Sequence, residues 1–462
     1  MVKEPCMRKK LQRKLVREIA DEQPQIEPRC PYFGKCGGCF MQDVDYEHQR
    51  IVKQKFLQKL FDDAEIEISV PLPEPSPDIF YYRNRMDFPI GENQEIGLKP
   101  MGRWMDVLNL EICFLQSEAS HEIMDIVRGW IKKWKLPGWN VVRHTGYARY
   151  LVIREGKNTG ERMVIIVTSP DPSSKRRGDQ LMSIDTEREE DQQEQAPLLS
   201  KEGLGEVWDD LVEKLKPLAT TIYHAINPRL TDISIGDEMK LLHGEPLLKE
   251  EVNGLTYFIS PFSFFQTNTK AAALLQEYVV SLVIASAPIV IPAKAGIQDS
   301  KGMDPSLRRD DNGGRDDKVL DLYCGSGFFT LPLAKEGVDV VGVELDPASI
   351  KMAEKNAKEN NITSATFHAT DAKLHTKELQ AGQYDTIIVD PPRAGLHPKV
   401  IRKLIEIAPQ EIIYVSCGPA RLTHELSQFL EHFNLTSIKT FDMFPHTPHV
   451  ETVITLKKKA PA

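Results

Sequence analysis

The spacing of hydrophobic residues becomes regular from Lys318 onward. Beyond it, apolar runs such as KVLDLY, VDVVGVE, DTIIVD and EIIYVS predict strands, and PASIKMAEKNAKENN, HPKVIRKLIEIA and PARLTHELSQFLEHF predict helices. Strands that alternate with helices predict an α/β fold with a mostly parallel, doubly wound sheet. The last two apolar segments, SIKTFDMF and ETVITLKK, follow each other without a helix. We therefore expect one antiparallel strand at the end of this sheet.

The chain before Lys318 is more mixed. Residues 1–29 predict a short basic helix and a linker, and DYEHQRIVKQKFLQKLF has apolar residues at helical spacing. Strands and turns are expected from about residue 66 to 110, and helix and strand alternate to about 168. The polar stretches 170–206 and 287–317 lack periodicity, so we expect surface insertions there. The predicted domains are 1–29, 30–258 and 259–462.

The composition is that of a soluble globular protein. The chain has 462 residues, of which 41% are hydrophobic and 27% charged, and this length suits two or three domains. The start lacks an apolar signal segment, and the longest apolar run, residues 278–293, is too short to span a bilayer. We expect a cytoplasmic protein that has no membrane partner. The net charge of −9 argues against general nucleic-acid binding, although a local basic groove is compatible with it.

A nucleotide pocket is predicted at the first strand-to-helix turn, DLYCGSGFF. Gly325 and Gly327 allow a tight turn and close approach of a ligand, but Thr330 stands where a dinucleotide fingerprint needs a third glycine. Acidic residues follow at the ends of later strands: Glu344, Asp371 and Asp390. This order favours S-adenosylmethionine over a nicotinamide cofactor. Arg393 in DPPR replaces the aromatic residue that stacks on adenine in amino-group methyltransferases, which disfavours amino-nitrogen chemistry.

Cys417 is the candidate nucleophile. It lies between the strand EIIYVS and the next helix, where a helix N-terminus is expected to lower the thiol pKa. A thiolate that adds to carbon 6 of uracil makes carbon 5 reactive towards a methyl donor. A base must then remove the carbon 5 proton, and Glu451 in FPHTPHVETV is the candidate. His446 and His449 of that segment are expected to be structural, because their spacing is not that of a zinc protease.

Three cysteines lie within ten residues, in CPYFGKCGGC. They are Cys30, Cys36 and Cys39, in a chain that has seven cysteines. An odd count in a reducing compartment favours a metal or catalytic role over a disulfide framework. A metal site with four ligands would need one more ligand besides these three thiolates.

These motifs together resemble the RNA uracil-C5 methyltransferases, the TrmA/RumA family. The segments that carry the resemblance are CPYFGKCGGC, SPFSFFQTN, DLYCGSGFFTLPLA, VVGVELDP, VDPPRAGLHP, YVSCGPA and DMFPHTPHVE. The family implies a Rossmann-like, class I S-adenosylmethionine-dependent methyltransferase domain and an α+β iron–sulfur domain. A TRAM domain, a small RNA-binding barrel, is expected to be absent, since 29 residues precede Cys30.

The resemblance implies a role for each matching residue. Cys417 would be the nucleophile and Glu451 the base, and Phe264 would lie near a flipped uracil. The residues implied to line the cofactor site are Gln266, Tyr323, Gly325, Gly327, Glu344, Asp371 and Asp390. Cys113 would join Cys30, Cys36 and Cys39 around a 4Fe–4S cluster, with zinc as the alternative. Gly418 and Phe328 depart from the family pattern, and Phe328 puts one cofactor contact in question.

The implied substrate is RNA, with 23S rRNA preferred and the tRNA T-loop as the alternative. No obligate protein partner is inferred. Two other functions stay open. An RNA cytosine-C5 methyltransferase would carry a second cysteine in the DPPRAG segment, which has none. A non-catalytic iron–sulfur RNA-binding protein would not need Cys417 and Glu451.

Overall fold

A computed structural model describes residues 9–170, 203–286 and 317–460. Its two larger sheets have five and seven strands, and two hairpins of two strands each accompany them. The predicted insertions therefore fall largely outside the described residues. The first insertion was predicted to extend to residue 206, but residues 203–206 form the first turn of a helix.

Two helices precede the five-stranded sheet. They are α1 (Lys9–Asp21) and α2 (Tyr46–Asp63). Asp45 caps α2 by accepting a hydrogen bond from the Glu47 amide at 3.0 Å. Apolar residues at helical spacing bury one face of each helix, and this cluster also contains Ala420 of the C-terminal part: Val16, Ala20, Val52, Phe56, Leu60. Both predicted helices are confirmed.

The five-stranded sheet forms the middle of the chain, in the order β1-β4-β5-β6-β7. Its strands are β1 (Arg85–Pro89), β4 (Ala148–Glu155), β5 (Arg162–Thr168), β6 (Thr221–Ile226) and β7 (Glu238–Gly244). The pair β2 (Gly97–Leu98) and β3 (Leu108–Asn109) lies between β1 and α3 (Ala119–Lys133) in sequence, and α4 (Gly203–Leu215) precedes β6. Helices α3 and α4 pack through Trp130 and Trp208, whose ring centroids are 5.1 Å apart.

A hairpin and a long helix connect this sheet to the C-terminal part. The hairpin is β8 (Leu248–Val252) and β9 (Leu255–Ile259), and the helix is α5 (Thr269–Ser286). Gln276 of α5 donates a hydrogen bond to the Phe328 carbonyl at 2.6 Å, so the helix contacts the turn after the first strand of the second sheet. One hydrophobic core contains residues of the hairpin, α5 and the C-terminal sheet.

The seven-stranded sheet has the order β12-β11-β10-β13-β14-β16-β15. Its elements are β10 (Lys318–Leu322), α6 (Thr330–Lys335), β11 (Asp339–Glu344), α7 (Pro347–Glu359), β12 (Ala365–Ala369), α8 (Ala372–Glu378), β13 (Thr386–Val389), α9 (Pro398–Ile407), β14 (Glu411–Ser416), α10 (Pro419–Phe429), β15 (Phe433–Phe441) and β16 (Glu451–Lys458). Strand β16 alone runs against its neighbours, which confirms the predicted antiparallel strand. Helix α8 was not predicted, because it has two turns and little apolar periodicity.

A buried ion pair joins the first part of the chain to the last. The Lys53 ammonium of α2 donates to the Asp442 carboxylate at 2.5 Å and to the Phe444 carbonyl at 3.0 Å. Both side chains are fully buried. The loop between β15 and β16 is therefore fixed against α2. Within the described ranges, no helix combines the length and apolar character needed to cross a membrane.

Candidate active site

The glycine turn after β10 leaves one side of its backbone uncovered. Its backbone is tied to β11, since the Tyr323 and Cys324 amides donate to the Val343 carbonyl at 2.8 and 3.1 Å. Gly325 and Gly327 have φ of 56° and 87°, and Tyr323 has φ of 69°, a conformation that costs a non-glycine residue free energy. No atom lies within 4 Å of where a Gly325 side chain would begin. The turn therefore has room for a ligand against its backbone.

The acidic residues predicted for this pocket lie around the turn. Glu344 ends β11 and accepts hydrogen bonds from the amides of Gly325 at 3.2 Å and Leu345 at 2.6 Å. Asp371 caps α8 through the Lys373 amide at 2.7 Å. Burial, together with the negative charges of Asp371, Glu425 and Glu344, raises the pKa of Tyr323 to about 12. Strand ends therefore bring Tyr323, Glu344 and Asp371 together, as predicted for parallel strands.

Asp321 is a buried carboxyl group that the sequence analysis missed. It lies inside β10 and accepts a hydrogen bond from the Thr330 hydroxyl at 2.6 Å. Burial raises its pKa to about 7. Burial and the neighbouring Asp321 likewise raise the pKa of Asp390, which follows β13, to about 7. An aspartate within the apolar run KVLDLY was the available signal for this group.

Cys417 lies in the two-residue turn between β14 and α10 and is half-buried. Burial and the nearby Glu451 raise its pKa to about 11, although Arg393 opposes the shift through its charge and a hydrogen bond. The predicted lowering of this pKa by the helix N-terminus is therefore wrong. Desolvation of the thiolate outweighs the helix dipole, which acts weakly over one turn. Deprotonation of Cys417 needs a further stabilising contact.

Glu451 begins β16, which pairs with β14 so that Thr452 lies opposite Ser416. This register brings Glu451 beside Cys417 at the same end of the sheet. Glu451 is buried, and burial together with Asp390 raises its pKa well above the usual range, opposed by Arg393. The exposed Arg393 guanidinium is hydrogen-bonded to Cys417 and lies near Glu451. From the sequence, Arg393 served only to argue against amino-nitrogen chemistry. The arrangement is a thiol beside two carboxyl groups and one guanidinium, which suits covalent addition followed by proton transfer.

The segment SPFSFFQTN is fixed by a buried arginine. Arg154 of β4 donates to the carbonyl groups of Ser260 at 2.8 Å, Pro261 at 3.1 Å and Ser263 at 2.9 Å. Asn84 donates to the Gln266 carbonyl at 2.7 Å, while Phe264 is 69% exposed. The backbone of this loop is therefore held while the Phe264 ring projects from it. Local periodicity gave no signal for Arg154.

Phe328 departs from the family pattern for a packing reason. It is buried against Tyr257 and Phe265, with ring centroids 6.1 and 6.0 Å away. The ring therefore contributes to the core beside the glycine turn.

The four predicted cluster cysteines line one small cavity between the loop 30–39 and the segment around Cys113. Burial raises the pKa of all four thiols, to about 12 for Cys39 and about 11 for Cys113. The Gln42 amide donates to Cys39 Sγ at 3.2 Å, and the Gly38 amide donates to Cys36 Sγ at 3.3 Å. Four sulfur ligands with N–H donors suit an iron–sulfur group.

The four cysteines lie near one another but do not surround a preformed metal position. Across the described ranges, no group of three or more His, Cys, Asp or Glu side chains has an arrangement that could hold a metal ion. His446 is buried against Gln49, whose amide nitrogen lies 3.1 Å from Nδ1, and stacks on Phe80 at 4.5 Å. His446 is thus packed and hydrogen-bonded, in agreement with the predicted structural role.

A groove of about 1220 Å³ extends from the cysteine loop to Cys417. It is lined by α1, the loop 37–40, β1, the loop 98–104 and the segments around Arg393, Cys417 and His449. Its charged lining residues are one acid, Asp87, and six bases: Arg13, Arg83, Lys99, Arg103, Arg393 and Arg421. Lys99, Arg103 and Arg421 are ion-paired with acids outside the lining, and the groove still has an excess of basic groups in a chain whose net charge is −9.

Comparisons with known proteins agree with this arrangement. Residues 308–459 match the sequence profile of the family described as tRNA (Uracil-5-)-methyltransferase. An uncharacterized RNA methyltransferase of Nanoarchaeum equitans is 34% identical over 96% of this chain and 83% of its own length. The tRNA (uracil(54)-C(5))-methyltransferase of Pyrococcus furiosus is 34% identical over 94% of this chain and 86% of its own.

A solved structure is similar over most of the chain. The tRNA (uracil-54, C5)-methyltransferase of Pyrococcus abyssi, in complex with S-adenosyl-L-homocysteine, has a TM-score of 0.65 and 29% identity. The match covers 91% of this chain and 86% of that one. Both the sheet architecture and the preceding domain are thus shared with an RNA methyltransferase.

Proposed function

The chain belongs to the tRNA (uracil-5-)-methyltransferase family, and from this premise we propose that it methylates carbon 5 of a tRNA T-loop uridine. It is an RNA uracil-C5 methyltransferase that uses S-adenosylmethionine. The observation that carries the proposal is the position of Cys417, Asp390, Arg393 and Glu451 in and beside one end of a basic groove.

The proposed cofactor residues surround the glycine turn. Gly325 and Gly327 would approach the ligand through their backbone, and Glu344 and Asp371 would accept its hydroxyl or amino groups. Tyr323, Asp390 and Gln266 complete the proposed set. Support comes from the open face of Gly325 and the carboxylates at successive strand ends. When bound, S-adenosylmethionine supplies the methyl group that is transferred.

We propose that Cys417 adds to carbon 6 of a uracil turned out of the RNA stack. A sulfur–carbon bond forms and the ring becomes an enolate, whose carbon 5 is the nucleophile for the methyl group. Arg393 stabilises the thiolate by charge and a hydrogen bond. Glu451, once ionised, then takes the proton from carbon 5. The sulfur–carbon bond breaks, the thiolate leaves, and 5-methyluridine is released.

The electrostatics favour a polyanionic substrate. Six bases and one acid line the groove that contains Cys417, and phosphate contacts dominate nucleic-acid affinity. The preference for 23S rRNA that the sequence analysis stated gains no support from the relatives described above, because those whose names specify a substrate act on tRNA. We therefore take tRNA as the first candidate and 23S rRNA as the alternative.

A direct test is methyl transfer to defined RNAs. Purified protein would be incubated with labelled S-adenosylmethionine and either a tRNA transcript or a large-subunit rRNA transcript, followed by digestion and mass spectrometry for 5-methyluridine. We expect methylation of tRNA at one T-loop uridine, absent in Cys417→Ala. Methylation of the rRNA transcript alone would overturn the substrate. Methylation of neither transcript, or of a cytosine, would overturn the proposed function.

We also propose that Cys30, Cys36, Cys39 and Cys113 hold a 4Fe–4S cluster. The four thiols line one cavity, and two of them, Cys39 and Cys36, accept hydrogen bonds from Gln42 and Gly38, which supports a site for metal-bound thiolates, with zinc as the alternative. Anaerobically purified protein should contain about four iron and four sulfide per chain. Zinc at one equivalent without sulfide would contradict the proposal. Cys324→Ser is the matched control for Cys113→Ser, since both thiols are buried.

A further inference from the structure

An exposed apolar group lies on the rim of the basic groove. Trp104 is 61% exposed, and Met101 and Met105 beside it are 43% and 54% exposed. Exposed groups of large apolar side chains on soluble proteins commonly mark interaction sites. Trp104 and Met101 also line the groove that contains Cys417. The exposed tryptophan and the nucleophile therefore share one surface.

The loop that carries Trp104 is held in place. The Met101 amide donates to the Lys35 carbonyl, and the Gly37 amide donates to the Lys99 carbonyl, both at 3.0 Å. The Lys99 ammonium donates to the Trp104 carbonyl at 2.7 Å and is ion-paired with Asp232. The loop is therefore attached to the cysteine loop on one side and to residue 232 on the other. Trp104 is exposed on a supported backbone.

The surroundings of Trp104 suit a nucleotide. The Lys99 ammonium lies 6.0 Å from the centroid of the Trp104 ring, and Arg103, which is exposed and paired with Asp106, lies next to Trp104 in sequence. Single-stranded nucleic acids bind where aromatic side chains stack on bases and basic groups follow the phosphates. The groove, about 1220 Å³, exceeds the roughly 300–1,000 Å³ of a small-molecule pocket. It has room for more than the target nucleoside.

We propose that Trp104 is a stacking platform for an unpaired base of the substrate RNA that flanks the target uridine. The inference rests on the proposed function and names a substrate contact of the same groove. Stacking of a flanking base on one side of the groove would hold the strand while the target uridine turns towards Cys417. A protein partner for this rim is the alternative, which unchanged RNA binding by Trp104→Ala would favour.

The test is a binding titration with a synthetic T-arm stem-loop RNA, read by tryptophan fluorescence. Base stacking should quench Trp104, so the quenching should be lost in Trp104→Phe and retained in Trp134→Phe. Trp134 is the matched control, because its indole donates to Asp210 and it does not line the groove. Trp104→Ala should raise the dissociation constant about 5- to 100-fold, and Trp104→Phe should recover most of the affinity. Thermal unfolding should not change, since the side chain is exposed.

An abasic scan identifies the stacked base. RNAs that lack one base at a time around the target uridine would be titrated against wild type and Trp104→Ala. One flanking position should weaken binding to wild type and have no further effect on Trp104→Ala. Additive losses at every position, or unchanged affinity of Trp104→Ala, would overturn the inference.

Methyl transfer by the wild type to the same intact RNA separates the two proposals. Its absence would contradict the proposed function, whatever Trp104 does. Its presence, together with normal binding by Trp104→Ala, would contradict the stacking platform alone, and would leave the rim to a protein partner.

Discussion

Asp321 and Asp390 show how burial sets charge at single residues in this site. Burial raises the pKa of both carboxyl groups to about 7, with Glu344 adding to the shift of Asp321 and Asp321 adding to that of Asp390. The site therefore holds less negative charge near neutral pH than its sequence suggests. A site with fewer negative charges can more easily hold a nucleotide and a thiolate at the same time.

Asp390→Asn should stabilise the protein and abolish activity. A carboxyl whose pKa is raised by folding favours the folded state only when protonated. This contribution is complete below the pKa of the unfolded chain, 3.8, and is lost as the pH rises through about 7. We expect the free energy of unfolding of the variant to be larger than that of wild type by about 1–2 kcal/mol at pH 8, allowing for the partial exposure of Asp390. Near pH 4 the two values should be equal. Urea unfolding at both pH values measures this.

The control for Asp390→Asn is Asp209→Asn on α4, an exposed carboxylate outside the groove. It should change stability little at either pH. A gain for Asp390→Asn that is equal at pH 4 and pH 8 would contradict the assignment of the effect to ionisation.

Alkylation of Cys417 by iodoacetamide should depend steeply on pH. Its pKa of about 11 leaves little thiolate at neutral pH, so the rate should rise about tenfold per pH unit between roughly pH 7 and 10. Arg393→Met should slow the reaction, because the guanidinium favours the thiolate. Mass spectrometry of the peptide that contains Cys417 follows the rate. Arg402→Met on α9 is the control; a pH-independent rate, or no slowing in Arg393→Met, would disprove this account.

Helix α1 contributes to the site as an element. Its buried face packs on α2 and Ala420, and this packing turns Arg13 into the groove. The Arg13 guanidinium lies 5.1 Å from the centroid of Phe40, and its charge contributes to the lowered pKa of His449. A helix predicted as a basic extension is therefore part of the wall of the active site.

Arg13→Ala should weaken RNA binding several-fold. It should also reduce the slope of log affinity against log salt by about one, as expected for the loss of one phosphate contact. Lys14→Ala is the matched control, because Lys14 is adjacent, exposed, paired with Glu18 at 3.5 Å and outside the groove. Filter binding at several salt concentrations measures both. Equal effects of the two variants would contradict a specific role for Arg13.

The elements that sequence periodicity predicted are those with strong local signals. Alternating strands and helices placed Glu344, Asp371 and Asp390 at strand ends, and the turn before α10 placed Cys417. The predictions failed where contacts between distant parts of the chain set a property, or where an element was too short to give a signal. Burial by other elements sets the Cys417 pKa, and α8 is too short for a periodic signal. The positions of Arg13 and Arg154 depend on tertiary packing that no local pattern encodes.

At the scale of the whole molecule, a buried ion pair joins two parts of the chain that are far apart in sequence. Lys53 and Asp442 are separated by 389 residues and are both fully buried. Asp442 precedes the loop that leads to Glu451, so the pair connects α2 to the segment that carries the proposed base. The first and last parts of the protein are expected to unfold together.

Lys53→Met should destabilise the protein by roughly 3–5 kcal/mol, because it leaves the Asp442 carboxylate buried without its cation. The double variant Lys53→Met/Asp442→Asn should recover much of that loss, since both charges are removed. Urea unfolding of the two variants, read by fluorescence, measures the coupling. Losses that simply add in the double variant would show that the two residues act independently.

The three carbonyl groups held by Arg154 have a consequence for variation in the loop 260–263. The cation recognises backbone oxygens, which every residue type supplies. Side chains there can therefore change without breaking these bonds. A deletion or insertion of one residue would move the carbonyl groups away from Arg154 and leave its guanidinium buried without hydrogen-bond acceptors. Among homologous chains, this loop should keep its length.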